Sequence, residues 1–359
     1  MRDRPIEYGL ECLFYQASPL RQWAIDYKWY GLFTLGFIAI TNVAYVAMGV
    51  DGSLQKKATL FLLNCFGWWY IGFLLVFCIG VFETLVEAFF AQRPWPQVWD
   101  QIEQNVIGSI TSNWVCSLMI MLTQVLFLRS VHINKLILTN SIEYTWDSSL
   151  ATMDSWLLGG HSTWHLVTTW LGHPAIITLL QHCYEGWFIF QALMMSWMMV
   201  SSKRCIAKRF WLVYSLTWTV LGNGLAVLLA SMGPYMFGLV THADWIGSFT
   251  QQLGVNNPSL LLQNVMVDQL QQHGHEMIGI SAFPSIHSAM ACLMARTSFA
   301  LGHWSRWFFL IFAGLVALAC MVLGWHYLID VLAGMFGVCV LWWLVDGFLQ
   351  ERDEARSHQ

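Results

Sequence analysis

Three side chains in the C-terminal third of the chain have the types and spacing for nucleophilic and acid–base work. They are His287 in "AFPSIHSAMA" (282–291), and His326 with Asp330 in "LGWHYLIDVLAG" (323–334). His326 and Asp330 stand four residues apart, so on a helix they share a face. A carboxylate there accepts the proton of one imidazole nitrogen. That fixes the tautomer and leaves the other nitrogen to attack or to shuttle protons. His287 supplies a second acid–base group. It follows Pro284 and Ser285 at a helix start, where Ser285 and the first backbone N–H groups favour an anion. Taken singly the motifs are weak: Pro-Ser is an ordinary cap, and His-x-x-x-Asp arises by chance about 0.4 times in a chain of this composition. Together they carry weight, because two spans and a short turn separate the histidines and return both to one depth.

Membrane helices carry these side chains. Of the 359 residues, 57% are hydrophobic and 11% charged, about half the charge of a soluble domain. Apolar runs of about 20 residues recur, the length that crosses a bilayer. They place eight spans at about 29–50, 59–82, 106–128, 183–200, 211–231, 284–301, 307–323 and 328–348. A further apolar piece, about 164–181, is interrupted by Gly172, His173 and Pro174 and is expected to lie at the interface or re-enter. The fold class is an all-α, polytopic integral membrane bundle. The N-terminus lacks the compact apolar run and small-residue cleavage site of a signal peptide. Most of the nine cysteines fall inside apolar runs, which suits buried small hydrophobes and not a disulfide framework.

Lys and Arg placement sets the orientation. Arg2, Arg4, Arg21, Lys28, Arg93, Lys203, Arg204, Lys208, Arg209, Arg306, Arg352 and Arg356 fall on one side. Lys56, Lys57, Arg129 and Lys135 fall on the other. The positive-inside rule then puts both termini in the cytoplasm and both histidines at the outer face. That face is periplasmic or extracellular in a bacterial inner membrane, which the lean loops favour, and luminal in the Golgi or endoplasmic reticulum of a eukaryote. The loops at about 129–182 and 232–283 are expected to face outward. The basic 203–209 run reads as an anchor on anionic lipid and not as a nucleic-acid site.

"FPSIHSA" (283–289) and "HYLIDVLAG" (326–334) resemble the type 2 phosphatidic acid phosphatase superfamily. They look most like its branch containing inositol phosphorylceramide synthase, which has a bulky residue where Ile286 stands; plain lipid phosphatases usually have glycine. "LLASMGPYMF" (228–237) and "MDSWLLGGHSTW" (153–164) are similar to upstream segments of that branch. The resemblance implies a six-helix catalytic core over 106–348, with two added spans in 1–105 and a tail at 349–359. It implies that His326 accepts the phosphoryl group as a phosphohistidine, that Asp330 orients and charge-stabilises it, and that His287 protonates the leaving oxygen and then activates the acceptor. It requires no metal or cofactor. The implied partners are membrane lipids, with a phospholipid or a prenyl or sphingolipid phosphate as substrate.

The chain departs from the phosphatase branch in its cations. That branch has an arginine six residues before the second histidine, where this chain has Cys320. On the outer face, Arg129 and Lys135 are the better candidates to bind phosphate. Fewer cations suit a singly charged phosphodiester and favour head-group transfer, with a lipid phosphate or pyrophosphate phosphatase as the alternative. A transporter or lipid-binding protein on the same bundle is the reading from another class. Asp154, His161, His165 and His173 read as loop or interfacial residues, and "HGHE" (273–276) as a solvated loop.

Overall fold

The computed structural model describes residues 19–47, 52–139, 143–273 and 281–357. Among these the chain is helical, without strands. The first helices are α1 (Pro19–Asp26), α2 (Lys28–Ala47), α3 (Gly52–Phe90) and α4 (Trp95–Ile102), which continues through a π-helical turn into α5 (Gly108–Thr139). Then follow α6 (Asp147–Leu157), α7 (Thr163–Leu171), α8 (Pro174–Val200) and α9 (Arg204–Leu216). A π-helical stretch, Thr217–Leu225, joins α9 to α10 (Ala226–Leu228). Three short helices come next: α11 (Pro234–Val240), α12 (Ile246–Leu253) and α13 (Pro258–His273). The chain closes with α14 (Ile286–Leu301), α15 (Arg306–Val322) and α16 (Leu328–Ser357).

Among the described residues four helical stretches are long and apolar enough to cross a membrane: Tyr70–Phe90, Trp114–Lys135, Arg204–Leu228 and Leu328–Gln350. The other four expected spans are the helices α2, α8, α14 and α15. Lipid tails are as apolar as leucine, so close packing and interhelical hydrogen bonds hold such helices together. The contact between α14 and α16 shows both. A Cβ on Gly334 would lie 2.3 Å from the Ser285 carbonyl oxygen, so only glycine admits this approach. The Ser288 hydroxyl shares its proton between the Ser285 carbonyl at 3.0 Å and, across the contact, the Val331 carbonyl at 3.2 Å; an interhelical bond of this kind is worth roughly 0.6 kcal/mol in lipid. The start of α14 is thereby pinned to the first turns of α16. Met290, Leu293, Met294, Phe312, Val316 and Val338 fill the core between these helices and α15.

The basic run lies at the opposite end of the bundle. Lys203 Nζ donates to the carbonyl of Leu301, the last residue of α14. Arg204 and Lys208 pair with Asp26 at 3.0 and 2.9 Å, and Arg209 with Asp346 at 2.7 Å.

Several boundaries differ from those expected. The third span does not stop at 128: α5 runs on to Thr139, because Val131 and Ile133 keep its apolar face buried past Arg129. The 164–181 piece is not one helical unit. It breaks at Gly172–His173 into α7 and the first turns of α8, where Pro174 takes the first helical position, its missing N–H costing nothing there. The expected outer loop at 232–283 carries α11, α12 and α13. Residues 274–276 of "HGHE" lie outside the described residues.

Candidate active site

His326 sits in the turn between α15 and α16. The N–H groups of Trp325 and His326 both donate to the Cys320 carbonyl at 3.1 Å, which closes the turn. His326 is 7% exposed. Its Nδ1 lies 2.9 Å from the Ala282 carbonyl oxygen and 3.7 Å from Asp330 Oδ2. A carbonyl can only accept, so Nδ1 carries the proton and Nε2 keeps its lone pair. The expected tautomer therefore results, but from a different partner. Asp330 Oδ2 is drawn aside by the Tyr327 N–H at 2.9 Å, as fits a carboxylate at a helix start. Among the described residues its buried Oδ1 has no hydrogen-bond partner.

His287 opens the first turn of α14 and is half-buried. Its ring centroid is 6.1 Å from that of His326. An aromatic wall from α8 backs it: Tyr184 stacks on it at 4.5 Å and the Trp187 ring lies 4.6 Å away. The Trp187 indole N–H donates to the His287 carbonyl at 3.1 Å. Tyr184 also faces Trp325 at 6.0 Å, tying the two histidine-bearing segments together. Sequence reasoning missed this wall, since aromatic residues at a membrane interface carry no distinguishing spacing.

The two candidate cations part company. Lys135 Nζ lies 5.5 Å from the Trp218 ring centroid and is near enough to His287 for the two to repel each other when both are charged. Trp218 belongs to the π-helical stretch, an irregularity frequent at functional sites. Arg129 turns the other way and donates to Asn42 Oδ1 on α2 at 3.3 Å. Ser285 caps α14. It is fully buried, its Oγ accepts from the Ser288 N–H and touches Cys320 Sγ at 3.7 Å. Its own N–H donates to the Asp330 carbonyl. Ser285 is an N-cap, and Cys320 packs against it.

Asp154, expected in a loop or at the interface, is 2% exposed and sits on α6. It accepts from Thr163 Oγ and from the Ile329 N–H at 3.3 Å. Asp147, which the sequence did not single out, is 1% exposed. It accepts from the Met232 and Gly233 N–H groups at 2.8 and 3.0 Å and from the Tyr327 hydroxyl at 3.3 Å. Burial pushes the Asp147 carboxyl up to about 6 against the pull of these bonds, and raises Asp154 as well. His161 and His165 stack on each other at 5.6 Å, exposed at the surface.

The two imidazole rings thus lie 6.1 Å apart, and the proton held on His326 Nδ1 leaves Nε2 with its lone pair. A family model described as the PAP2 superfamily matches residues 148–344, which span α6 to α16 and contain both histidines and Asp330. No curated protein and no solved structure matches the chain.

Proposed function

The chain belongs to the PAP2 superfamily, and we propose that it is a membrane enzyme that transfers a phospho-head-group between lipids through a phosphohistidine on His326. Membership supports lipid phosphatase or phosphotransferase chemistry in general. The finer reading rests on one observation above all: the Ala282 carbonyl holds the His326 Nδ1 proton, leaving Nε2 free 6.1 Å, ring to ring, from His287.

Nε2 of His326 attacks phosphorus; the N–P bond forms as the bond to the leaving oxygen breaks. His287, protonated at that stage, gives its proton to the leaving oxygen. The acceptor hydroxyl then gives its proton to His287, its oxygen bonds phosphorus, and the N–P bond breaks. The Asp330 carboxylate, 3.7 Å from Nδ1, stabilises the positive charge that develops on the ring. Lys135 is the candidate cation for the substrate phosphate, while Arg129 binds Asn42 on α2.

Head-group transfer is favoured over plain hydrolysis because the place of the phosphatase arginine holds a buried thiol, Cys320. A phosphodiester carries one negative charge and needs fewer cations. The motif resemblance to the inositol phosphorylceramide synthase branch supports the same choice. The core of this reading is 106–348, with 1–105 and 349–359 as additions. The site lies at the outer face and the termini are cytoplasmic, in keeping with the basic cluster at the far end of the bundle.

The test offers purified protein a lipid panel of phosphatidic acid, prenyl pyrophosphate, phosphatidylinositol and phosphatidylglycerol, with and without ceramide or diacylglycerol. Mass spectrometry reads lipid products and a phosphate assay reads hydrolysis, with His326→Ala as control. A moved head-group that vanishes in the control supports the proposal. Free phosphate from phosphatidic acid or prenyl pyrophosphate would make the enzyme a phosphatase. Lipid movement that survives in the control would make it a transporter.

A further inference from the structure

The residues that hold His326 in place converge on α6, which is not one of the membrane-crossing helices. Asp147, Leu150 and Asp154 form its buried face. Resting on the reading of His326 as nucleophile, we propose that Asp147 and Asp154 are positioning residues that clamp the His326 turn from both sides.

One side is the start of α16. The first N–H groups of a helix have no partner within it and must find one elsewhere. Asp330 takes the Tyr327 N–H. The Ile329 N–H goes to Asp154, a carboxylate from another helix, whose second oxygen is held by Thr163. Asp147 accepts from the Tyr327 hydroxyl. The two α6 carboxylates thus bind the first and third residues after His326.

The other side is the segment that fixes the tautomer. Asp147 binds the Met232 and Gly233 N–H groups. Gly233 has φ +91°, and a Cβ there would lie 2.3 Å from the Trp325 carbonyl oxygen, so this loop rests directly on the His326 turn. The neighbouring Ser231 accepts from the Ala282 N–H with its carbonyl at 2.8 Å and from the Phe283 N–H with its hydroxyl at 3.1 Å. Ala282 in turn accepts from His326 Nδ1. A continuous path therefore runs from Asp147 through Ser231–Gly233 and Ala282 to the imidazole.

The experiment uses the full chain in lipid nanodiscs and compares Asp154→Ala, Asp147→Ala and Asp154→Asn. Asparagine keeps an oxygen to accept the Ile329 N–H. Turnover is measured on the panel lipid that the native protein uses. Independently, the rate at which diethyl pyrocarbonate modifies His326 is followed by peptide mass spectrometry, with exposed His242 as reference. A misplaced catalytic group costs up to about 100-fold, so kcat should fall about 10- to 100-fold in the alanine variants with KM within about twofold. The His326 modification rate should change at least about threefold relative to His242, and Asp154→Asn should recover most of both. An unchanged His326 rate in both alanine variants overturns the proposal, whatever happens to turnover. If an alanine variant does not fold, Thr163→Val, which removes one donor to Asp154, takes its place. If the native protein turns over no lipid, the enzyme reading fails, while the modification rates still decide the clamp.

Discussion

His326 directs its Nδ1 at the carbonyl oxygen of Ala282, 2.9 Å away, while the nearer oxygen of Asp330 stands at 3.7 Å. Orientation and charge stabilisation, which a histidine–aspartate pair usually combines, are divided here between a backbone carbonyl and a carboxylate. Loss of the carboxylate therefore leaves the tautomer intact. Where an aspartate alone fixes the tautomer, its amide costs about 10⁴-fold in turnover; Asp330→Asn in this chain should cost only about 10- to 100-fold. His326→Ala should abolish turnover. Steady-state kinetics of the two variants on the same lipid test this, and equal losses would return the orienting role to Asp330.

His287 is assigned to the leaving oxygen, and that role depends on the leaving group. A poor leaving group such as an alkoxide needs its proton; a nitrophenolate does not. His287→Ala should lose about 10²- to 10⁴-fold on a natural lipid. On a nitrophenyl phosphodiester the loss should be much smaller. Equal losses on both substrates would mean that His287 does something other than protonate.

The sequence made the bundle and the central constellation legible for physical reasons. Spans are announced by length and apolarity: four of the eight expected fall on helical stretches long and apolar enough to cross a membrane, and the other four on the helices α2, α8, α14 and α15. The histidines fell together because two spans bring the chain back to one depth. The clamp was not legible. Asp147 and Asp154 lie more than 170 residues from the Tyr327 hydroxyl and the Ile329 N–H that they bind, and nothing in a local pattern marks a carboxylate whose partner is so far along the chain. Ser285 carries two readings in the sequence because a cap and an anion ligand use the same residue at the same helix position; its burial favours the cap. Arg129 misled similarly, because charge in an apolar sequence signals a span end, yet α5 carries it within the helix.

Lys135 and Arg129 differ in what they face, so their neutral variants should differ in kinetics. Lys135→Gln removes the cation near His287 and should raise KM about tenfold or more, as loss of a charge-assisted contact does. Arg129→Gln breaks a bond to Asn42 on α2 and should leave KM unchanged. A larger KM effect from Arg129→Gln would reverse the assignment.

Ser285→Ala should act on stability rather than binding. It removes the acceptor for the Ser288 N–H, a cap typically worth about 1 kcal/mol. Thermal unfolding in detergent should show the loss, with KM within about twofold of the native value. A large rise in KM would restore Ser285 as a ligand.

Asp147 gives the fold a pH dependence whose sign follows from its surroundings. Burial lifts its folded pKa to about 6, above the usual carboxylate value of about 4. The folded chain therefore holds this proton more tightly than the unfolded chain. The resulting stabilisation is complete below about pH 4 and is lost as pH rises through about 6, with a slope of at most about 1.4 kcal/mol per pH unit. Asp147→Asn cannot titrate, so its melting temperature should vary less between pH 4 and 6 than that of the native protein. Both proteins carry Asp154 and every other titrating group, so the difference between their two profiles belongs to Asp147. Parallel profiles would mean that Asp147 is ionised throughout this range, held so by the Met232 and Gly233 N–H groups.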